Sequence, residues 1–533
     1  MEHRDILKNR TFLYVTEFFS GMSVMAVELG ASRLLAPYFS SSQIVWTIII
    51  GTIMIAMALG NMWGGRQADK DPNTDKLFKR ILIAAVWIAA IPLFGKYVIM
   101  GISALVILSV NSNYLAAAAF ASCMIVFVFP LFLLGTVTPS LAKYCVRNTG
   151  ESGKIVGTLE ACSTIGSILG TFLPTFVTIP TVGTAVTFLI FSGVLLAISL
   201  IYFISRRTKK TMCIAASVVF IICSIFGNSD SFAFWRDDID YEGESVYNYL
   251  QVTEDDSSVV LSTNVLFGVQ SIYMKSDTLT GMYYDYALAA PVLAGYEDRD
   301  STDILVLGMG CGTYAQQCSR YFPKSSVEGV EIDSKIIWIA REYFNLPDSV
   351  KVTEYDGRAF LEGTDKKYDV IMVDAYQDIT IPFQMSSVEF FNEVKSHLTE
   401  GGVMVVNMNM HNDAEGSINE YLCDTIASVF PEVYTVDVEG STNRELFAFE
   451  SADQLGNLTQ SSTGHYDLDN MLGTVSAGLV KYEGGDHILT DDKAPVERLG
   501  MKAMDSIIEN EVSYYKGIIE EKGLKELLNE LLG

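Results

Sequence analysis

The chain has 533 residues, 37 Lys plus Arg against 63 Asp plus Glu, half of its residues hydrophobic and a mean hydropathy of +0.28. That combination excludes a single ordinary soluble domain. Residues 1–230 carry 17 basic and 10 acidic side chains, a net of +7, whereas the other 303 carry 20 and 53, a net of −33. So acidic a part excludes nucleic acid as a partner, because phosphates must be met by Lys and Arg, and the apolar content excludes disorder.

A membrane-spanning helix needs about 20 predominantly apolar residues, and seven stretches qualify: 12–35, 43–64, 81–108, 115–141, 155–179, 183–204 and 211–228. The third contains Pro92 and Lys96, so a kink or tilt is expected. The first is too long for a secretory signal and contains Glu17 and Glu28, which makes it a retained helix. Basic residues fall in alternate connections, Arg66–Arg80, Lys143–Lys154 and Arg206–Lys210, as well as in the N-terminal arm. The positive-inside rule therefore predicts a multi-pass protein of the cell membrane with a cytoplasmic N-terminus and, after seven spans, an extracytoplasmic acidic part. The bilayer itself is thus the first expected partner. Glu17 and Glu28 share one face of the first helix, being eleven residues apart, and Glu160 lies in the fifth. Such groups either pair, for example with Arg33, or line a cation path. Small residues from Gly157 to Gly170, including Gly166-x-x-x-Gly170, favour close helix packing.

Eight cysteines and five histidines are scattered with neither a disulfide framework nor a zinc spacing. No metal is expected, and the neighbourhood of Asp486, His487, Asp491 and Asp492 is the one candidate for it.

Residues 245–300 read as a small β-hairpin unit followed by a helix. From Thr302 short β-rich runs, 303–307, 326–331, 350–354, 368–374 and 402–408, alternate with helical stretches near 313–322, 334–344, 357–363, 386–399 and 415–429. This alternation specifies a parallel sheet covered by helices, an α/β Rossmann-like fold. Runs 432–438 and 445–450 add an antiparallel edge, and an amphipathic helical tail begins at Ala503. The predicted organisation is a transmembrane helical domain (1–230), a hairpin unit and linker (231–300), a nucleoside-binding domain (301–450) and a C-terminal extension (451–533).

The first strand runs into Gly308-Met309-Gly310-Cys311-Gly312, and the second ends at Glu331, 23 residues after Gly308. Glycines there let the backbone approach a ligand, and an acid at the end of the second strand can bind ribose hydroxyls. Asp356, followed by Gly357, ends the third strand where an adenine amino group could be met, and Asp374 ends the fourth. Acids at successive strand ends suit a positively charged nucleoside, such as the sulfonium of an S-adenosyl compound. The alternative is a nucleotide-type fold whose loop acids cap helices.

The run LVLGMGCGTYAQQCSRYFPKSSVEGVEID, with EYDGRAFL and YDVIMVDAYQDITIPFQMSSVEFF, resembles the spermidine synthase (polyamine aminopropyltransferase) family. SVYNYLQV and LFGVQS are similar to that family's N-terminal hairpin elements. VELGASRLLAPYF, GNMWGG and LTDDKAPVE are similar to motifs of its membrane-embedded members. The resemblance implies aminopropyl transfer from decarboxylated S-adenosylmethionine to a polyamine-type amine, without a metal, and leaves room for a homodimer. It assigns Asp374 as general base, Glu331 to the ribose, Asp356 and Gly357 to the adenine edge, and Gly308, Gly310, Cys311 and Gly312 to the cofactor turn. Gln270, Tyr283, Asp285, Tyr376 and Asp378 would line the acceptor site. The chain departs from the pattern at Cys311, Leu279, Thr280 and Gln377, where the family usually has acids. Two other functions compete: an S-adenosylmethionine-dependent methyltransferase, and a transporter or sensor that binds a polyamine or nucleoside without turnover.

Overall fold

The computed structural model describes residues 10–39, 42–109, 113–146, 149–229, 231–265, 268–276, 278–375, 381–409, 413–460, 462–506 and 508–509. The chain divides into two compact units, Met1–Trp235 with Glu242–Tyr249, and Arg236–Tyr241 with Leu250–Gly533.

The first unit is helical: α1 (Arg10–Phe39), α2 (Gln43–Lys70), α3 (Thr74–Ser109), α4 (Tyr114–Val126), α5 (Val128–Gly135), α6 (Val137–Cys145), α7 (Ser152–Leu173), α8 (Ile179–Arg206) and α9 (Lys210–Phe226). Five helical stretches, Arg10–Phe39, Gln43–Lys70, Thr74–Val106, Val128–Cys145 and Ser152–Arg206, are long and apolar enough to cross a membrane. The expectation of seven uninterrupted spans is corrected in two places. Tyr114–Val126 and Lys210–Phe226 are apolar but shorter, with 13 and 17 residues. The stretch expected over 115–141 is broken at Phe127, because Pro130 has no N–H to give to Val126, and the Trp87 indole donates to that carbonyl at 2.9 Å instead. Ser152–Arg206 continues through a π-helical turn at Pro174–Thr178 and is interrupted at Gly183, whose φ of 80° and ψ of 171° are not helical. Pro92 lies inside α3 without ending it.

Glycines set the packing distance of α1 against α7. A Cβ on Gly166 would lie 2.0 Å from the Phe18 carbonyl oxygen, and one on Gly170 would lie 2.1 Å from that of Met22. Only hydrogen at these positions lets the two backbones touch. Glu17 is buried, and Thr138 Oγ1 donates to its Oε1 at 2.5 Å. Arg33 donates to the carbonyls of Ser245 and Val246.

After β1 (Tyr241–Glu244), which straddles the division between the units, the second unit opens with β2 (Tyr249–Glu254), β3 (Ser258–Ser262) and β4 (Ser271–Met274), paired antiparallel in that order. Two short helices follow, α10 (Tyr283–Ala287) and α11 (Ala289–Leu293). Then come β5 (Thr302–Leu307), α12 (Thr313–Tyr321), β6 (Ser325–Glu331), α13 (Ser334–Glu342), β7 (Lys351–Glu354), α14 (Gly357–Glu362), β8 (Tyr368–Val373), α15 (Val388–Ser396), β9 (Leu398–Met408), α16 (Ile418–Ala427), β10 (Glu432–Asp437) and β11 (Arg444–Phe449). The unit is completed by α17 (Leu455–Gln460), α18 (Tyr466–Gly478) and β12 (Val480–Lys481). The main sheet has the order β12-β10-β11-β9-β8-β5-β6-β7. β5 to β9 are parallel and β10 to β12 antiparallel, which makes a mixed Rossmann-like sheet. The edge differs from expectation, since β12 and not the β10/β11 pair is outermost. Side chains alternate along each strand into two cores, one containing Val306, Val370, Val405 and Phe447, the other Leu307, Ile371, Val406 and Leu446. The terminal helix covers 496–506, so it begins before Ala503, and the tail beyond 509 lies outside the described residues.

Candidate active site

The site forms at the C-terminal ends of the parallel strands, where β5 turns into α12. Gly308 has φ of +79°, and a Cβ on it would lie 2.6 Å from the Ala375 Cα at the end of β8. Gly310, at φ +57°, would place a Cβ 2.7 Å from Ser271 Oγ. Gly312, at φ +85°, would place one 2.4 Å from a Leu346 methyl. The positive φ favours glycine at all three positions, and at Gly308 the neighbouring backbone excludes a Cβ as well. The hairpin unit is stitched over this turn: Cys311 N–H donates to Ser271 Oγ at 3.0 Å, and Thr313 Oγ1 accepts from Ile272 N–H at 3.0 Å and donates to its carbonyl at 2.9 Å.

Glu331, at the end of β6, accepts N–H bonds from Gly310 at 2.9 Å and from Asp333 at 3.0 Å. Burial pushes its carboxyl up to about 7 in spite of these donors. It therefore sits beside the glycine turn, held there by backbone N–H groups. Tyr355 N–H donates to the Glu331 carbonyl at 3.1 Å, which brings the third strand's end alongside. Asp356 there caps α14, its Oδ1 accepting from Ala359 N–H at 2.9 Å, and Gly357 faces Met385 and Leu307. The helix-cap reading thus holds for Asp356, whereas Glu331 and Asp374 cap no helix among the described residues.

Asp374 follows β8 and is 9% exposed. Its Oδ2 accepts from Tyr283 Oη at 2.9 Å and its Oδ1 from Asn407 Nδ2 at 3.0 Å. Burial raises its carboxyl to about 7, the two donors oppose that shift, and the Glu331 charge adds to it. Tyr284, with ring centroids 4.0 Å from Tyr283, donates to the Gln270 carbonyl at 2.8 Å. Gln270, Tyr283, Glu331, Asp374 and the three glycines are therefore gathered on one side of the sheet edge.

Two expected site residues turn their side chains away from the site. Asp285 has no exposure, and its oxygens accept from Thr280 N–H, Thr280 Oγ1 and Gly281 N–H. It holds the turn before α10 and offers nothing to an amine. Cys311 is also fully buried, its thiol directed at the Ile336 carbonyl and pushed well above the ordinary thiol range by burial. It contributes backbone to the turn and no surface to a ligand. Tyr376, Gln377 and Asp378 lie outside the described residues.

Asn407, Asn443 and Ser441 were not anticipated. Asn443 Nδ2 donates to Asn407 Oδ1 at 2.8 Å, and Ser441 Oγ donates to Asn443 Oδ1 at 2.6 Å, so a chain of hydrogen bonds orients the amide that meets Asp374. The signal available in the sequence is Asn407 itself, a polar residue in the otherwise apolar run GVMVVNM. At the metal candidate, His487 Nδ1 lies 3.3 Å from Asp424 and 3.7 Å from Glu420, and the three ligand atoms lie within 4.8 Å of one another. The companions expected for His487 are not those it has. Asp491 instead forms a two-bond ion pair with Arg358, at 2.7 Å each.

Residues 288–439 match the spermine/spermidine synthase domain family. A probable polyamine aminopropyl transferase of Bifidobacterium longum is 52% identical over 351 residues, 62% of this chain and 78% of that protein. The human eEF1A lysine and N-terminal methyltransferase is 30% identical over 158 residues, 27% of this chain and 22% of that protein. The crystal structure of a probable spermidine synthase from Corynebacterium glutamicum aligns with 46% of this chain and 98% of that one, at 21% identity and a TM-score of 0.36. With more than three quarters of the Bifidobacterium protein matched at that identity, the chain belongs to the polyamine aminopropyltransferase (spermidine synthase) family.

Proposed function

We propose that the protein is a membrane-anchored transferase that moves an aminopropyl group from decarboxylated S-adenosylmethionine to a polyamine-type amine. The observation that carries this reading is Asp374, a buried carboxylate at the sheet edge with one donor on each oxygen among the described residues and an affinity for protons brought to about 7. An ammonium has no lone pair, so a base of that strength is what the acceptor needs near neutral pH. The amine nitrogen then forms a bond to the methylene next to the sulfonium, the carbon–sulfur bond breaks, and the thioether leaves with the electron pair. The proton passes to the Asp374 carboxylate. The cradle left by Gly308 and Gly310 fits a nucleoside lying against bare backbone, and Glu331, anchored by two N–H groups, is disposed to take ribose hydroxyls.

Purified full-length protein supplied with decarboxylated S-adenosylmethionine and 1,4-diaminobutane is expected to release methylthioadenosine, and Asp374→Asn is expected to lower kcat by about 10²–10⁴. Release of S-adenosylhomocysteine from intact S-adenosylmethionine, with no methylthioadenosine from the decarboxylated form, would point to methyl transfer instead. Anchoring is supported by the five long apolar helices. The loop charges orient the acidic unit away from the cytoplasm, so protease added to intact cells is expected to cut it. Full protection would overturn that orientation.

A further inference from the structure

The segment that follows β12 brings together metal-ligating groups that the transfer chemistry does not use. Glu420 and Asp424 lie four residues apart on α16, about one helical turn, so their carboxyls leave the same face of the helix. His487, from the segment 482–489, reaches that face with its Nδ1 3.3 Å from Asp424 Oδ2 and 3.7 Å from Glu420 Oε1. One imidazole nitrogen and two carboxylate oxygens thus converge within 4.8 Å of one another. Gly485 makes this approach possible, because a Cβ on it would lie 2.6 Å from Asp424 Oδ2.

The charge balance points to a cation. Asp424 is 1% exposed and Glu420 is half-buried, yet among the described residues neither carboxyl pairs with a Lys or Arg, and His487 is the partner of both. Asp369 and Glu328, buried acids of the same unit, do have such partners, Arg299 at 2.6 Å and Lys351 at 2.5 Å. Two carboxylates held together away from water are costly without positive charge, and one imidazole balances at most one of them. The hydrogen bonds at the site orient the ligand atoms without neutralising them. Tyr482 Oη donates to Asp424 Oδ1 at 2.6 Å, His487 N–H to Asp424 Oδ2 at 2.9 Å, and Gly416 N–H to Glu420 Oε2 at 2.5 Å. Donors of this kind behind the carboxylates are what fixes ligands around a metal ion.

We propose that Glu420, Asp424 and His487 bind a divalent transition-metal ion, Zn(II) by the chemistry of the ligands, as a structural clamp between α16 and the segment 482–489. Mg(II) and Ca(II) take oxygen ligands, whereas an imidazole with two carboxylates suits zinc, which leaves a fourth position to water. With zinc–ligand bonds of ~2.0–2.2 Å the edges of the tetrahedron are ~3.4 Å. The His487–Asp424 spacing already has that length, and the half-exposed Glu420 carboxyl draws in by about 1 Å to complete the set. The clamped segment continues to Leu489, whose N–H donates to Thr425 Oγ1 at 2.9 Å and whose carbonyl accepts from Val388 N–H at 2.9 Å. It then reaches Asp491, the partner of Arg358 beside Gly357. The proposal does not depend on the aminopropyl-transfer reading.

The test uses the full-length protein, stripped with EDTA and then dialysed against buffered Zn(II), with zinc per chain read by mass spectrometry and stability by thermal melting. Wild type is expected to take up about one zinc per chain and to melt at a higher temperature with zinc than in EDTA. His487→Gln and Glu420→Gln are each expected to bind zinc at least about 10-fold more weakly and to lose the rise in Tm, while melting close to wild type in EDTA. That last comparison controls for folding, and Glu420→Gln keeps an acceptor for the Gly416 N–H if the His487 variant is unstable. Co(II) in place of zinc should give the visible bands of a four-coordinate ion in wild type and not in the variants. Equal zinc retention by wild type and both variants, or no uptake by wild type, overturns the proposal. A rise in Tm with Ca(II) as large as that with Zn(II) overturns the assignment of a transition-metal ion.

Discussion

Replacing Tyr283 by Phe removes one of the two donors that the described residues give Asp374 and leaves the ring tilted against that of Tyr284. The hydroxyl favours the ionised carboxylate, so its loss must raise the proton affinity of Asp374 above the present value of about 7. A hydrogen bond to a charged group contributes about 1.5–3 kcal/mol, and about 1.4 kcal/mol corresponds to one pH unit. The acid limb of kcat/KM should therefore move up by about 1–2 pH units. Near pH 7 the ionised fraction drops from about one half to between about one tenth and one hundredth, and kcat/KM falls about 5- to 50-fold. The fall should largely disappear near pH 9.5, where both enzymes are deprotonated. The assay is methylthioadenosine release as a function of pH with one amine at fixed concentration, so that titration of the amine is common to both enzymes. A variant whose activity drops by the same factor at every pH would refute the reasoning, since Tyr283 would then position ligand and not tune the base.

Gly308→Ala should be among the most damaging single changes in the acidic unit, because the residue needs φ of +79° and a new Cβ would meet the Ala375 backbone at 2.6 Å. A loss of more than about 1 kcal/mol in a denaturant titration is expected, together with loss of nucleoside binding, and a variant that binds methylthioadenosine normally would refute the cradle. The ligand-free protein should also be less stable at pH 8 than at pH 5. Asp374 and Glu331 have ordinary values of 3.8 and 4.5 that burial raises to about 7. Between those limits the folded protein holds protons that the unfolded chain has released, so this part of the stability is complete below about pH 4 and lost as the pH rises through 7. For Asp374 the whole change amounts to about 4 kcal/mol, of which about 2.5 kcal/mol falls between pH 5 and pH 8. Melting curves of the detergent-solubilised protein at the two pH values would show it, and a higher Tm at pH 8 would contradict it.

Much of the acidic unit is legible from local pattern. Strands and helices of the sheet fall within a few residues of where the period of two and the glycine punctuation put them, as Thr302–Leu307, Ser325–Glu331 and Tyr368–Val373 illustrate. Because parallel strands present their C-terminal ends to one side, the residues that end them, Glu331 and Asp374, could be marked as a site from sequence order alone. The same holds for the close approach of α1 and α7, written in Gly166 and Gly170.

The composition of each part and the residues that terminate its strands are local properties, since both follow from periodicities of two and 3.6 residues and from the steric needs of glycine. Tertiary structure alone decided which polar groups are consumed in packing and which are left over. Asp285 and Cys311 carry chemistry that looks functional in sequence, yet the turn before α10 and the core behind the glycine loop absorb them. Trp87, 39 residues away, supplies the donor for the Val126 carbonyl that Pro130 leaves without an N–H. Glu445 looks like an ordinary strand residue, and becomes a buried acid without a hydrogen-bond partner among the described residues only through the pairing of β11 with β9. Register between distant strands is fixed by the packing of both faces at once, and no local periodicity encodes it.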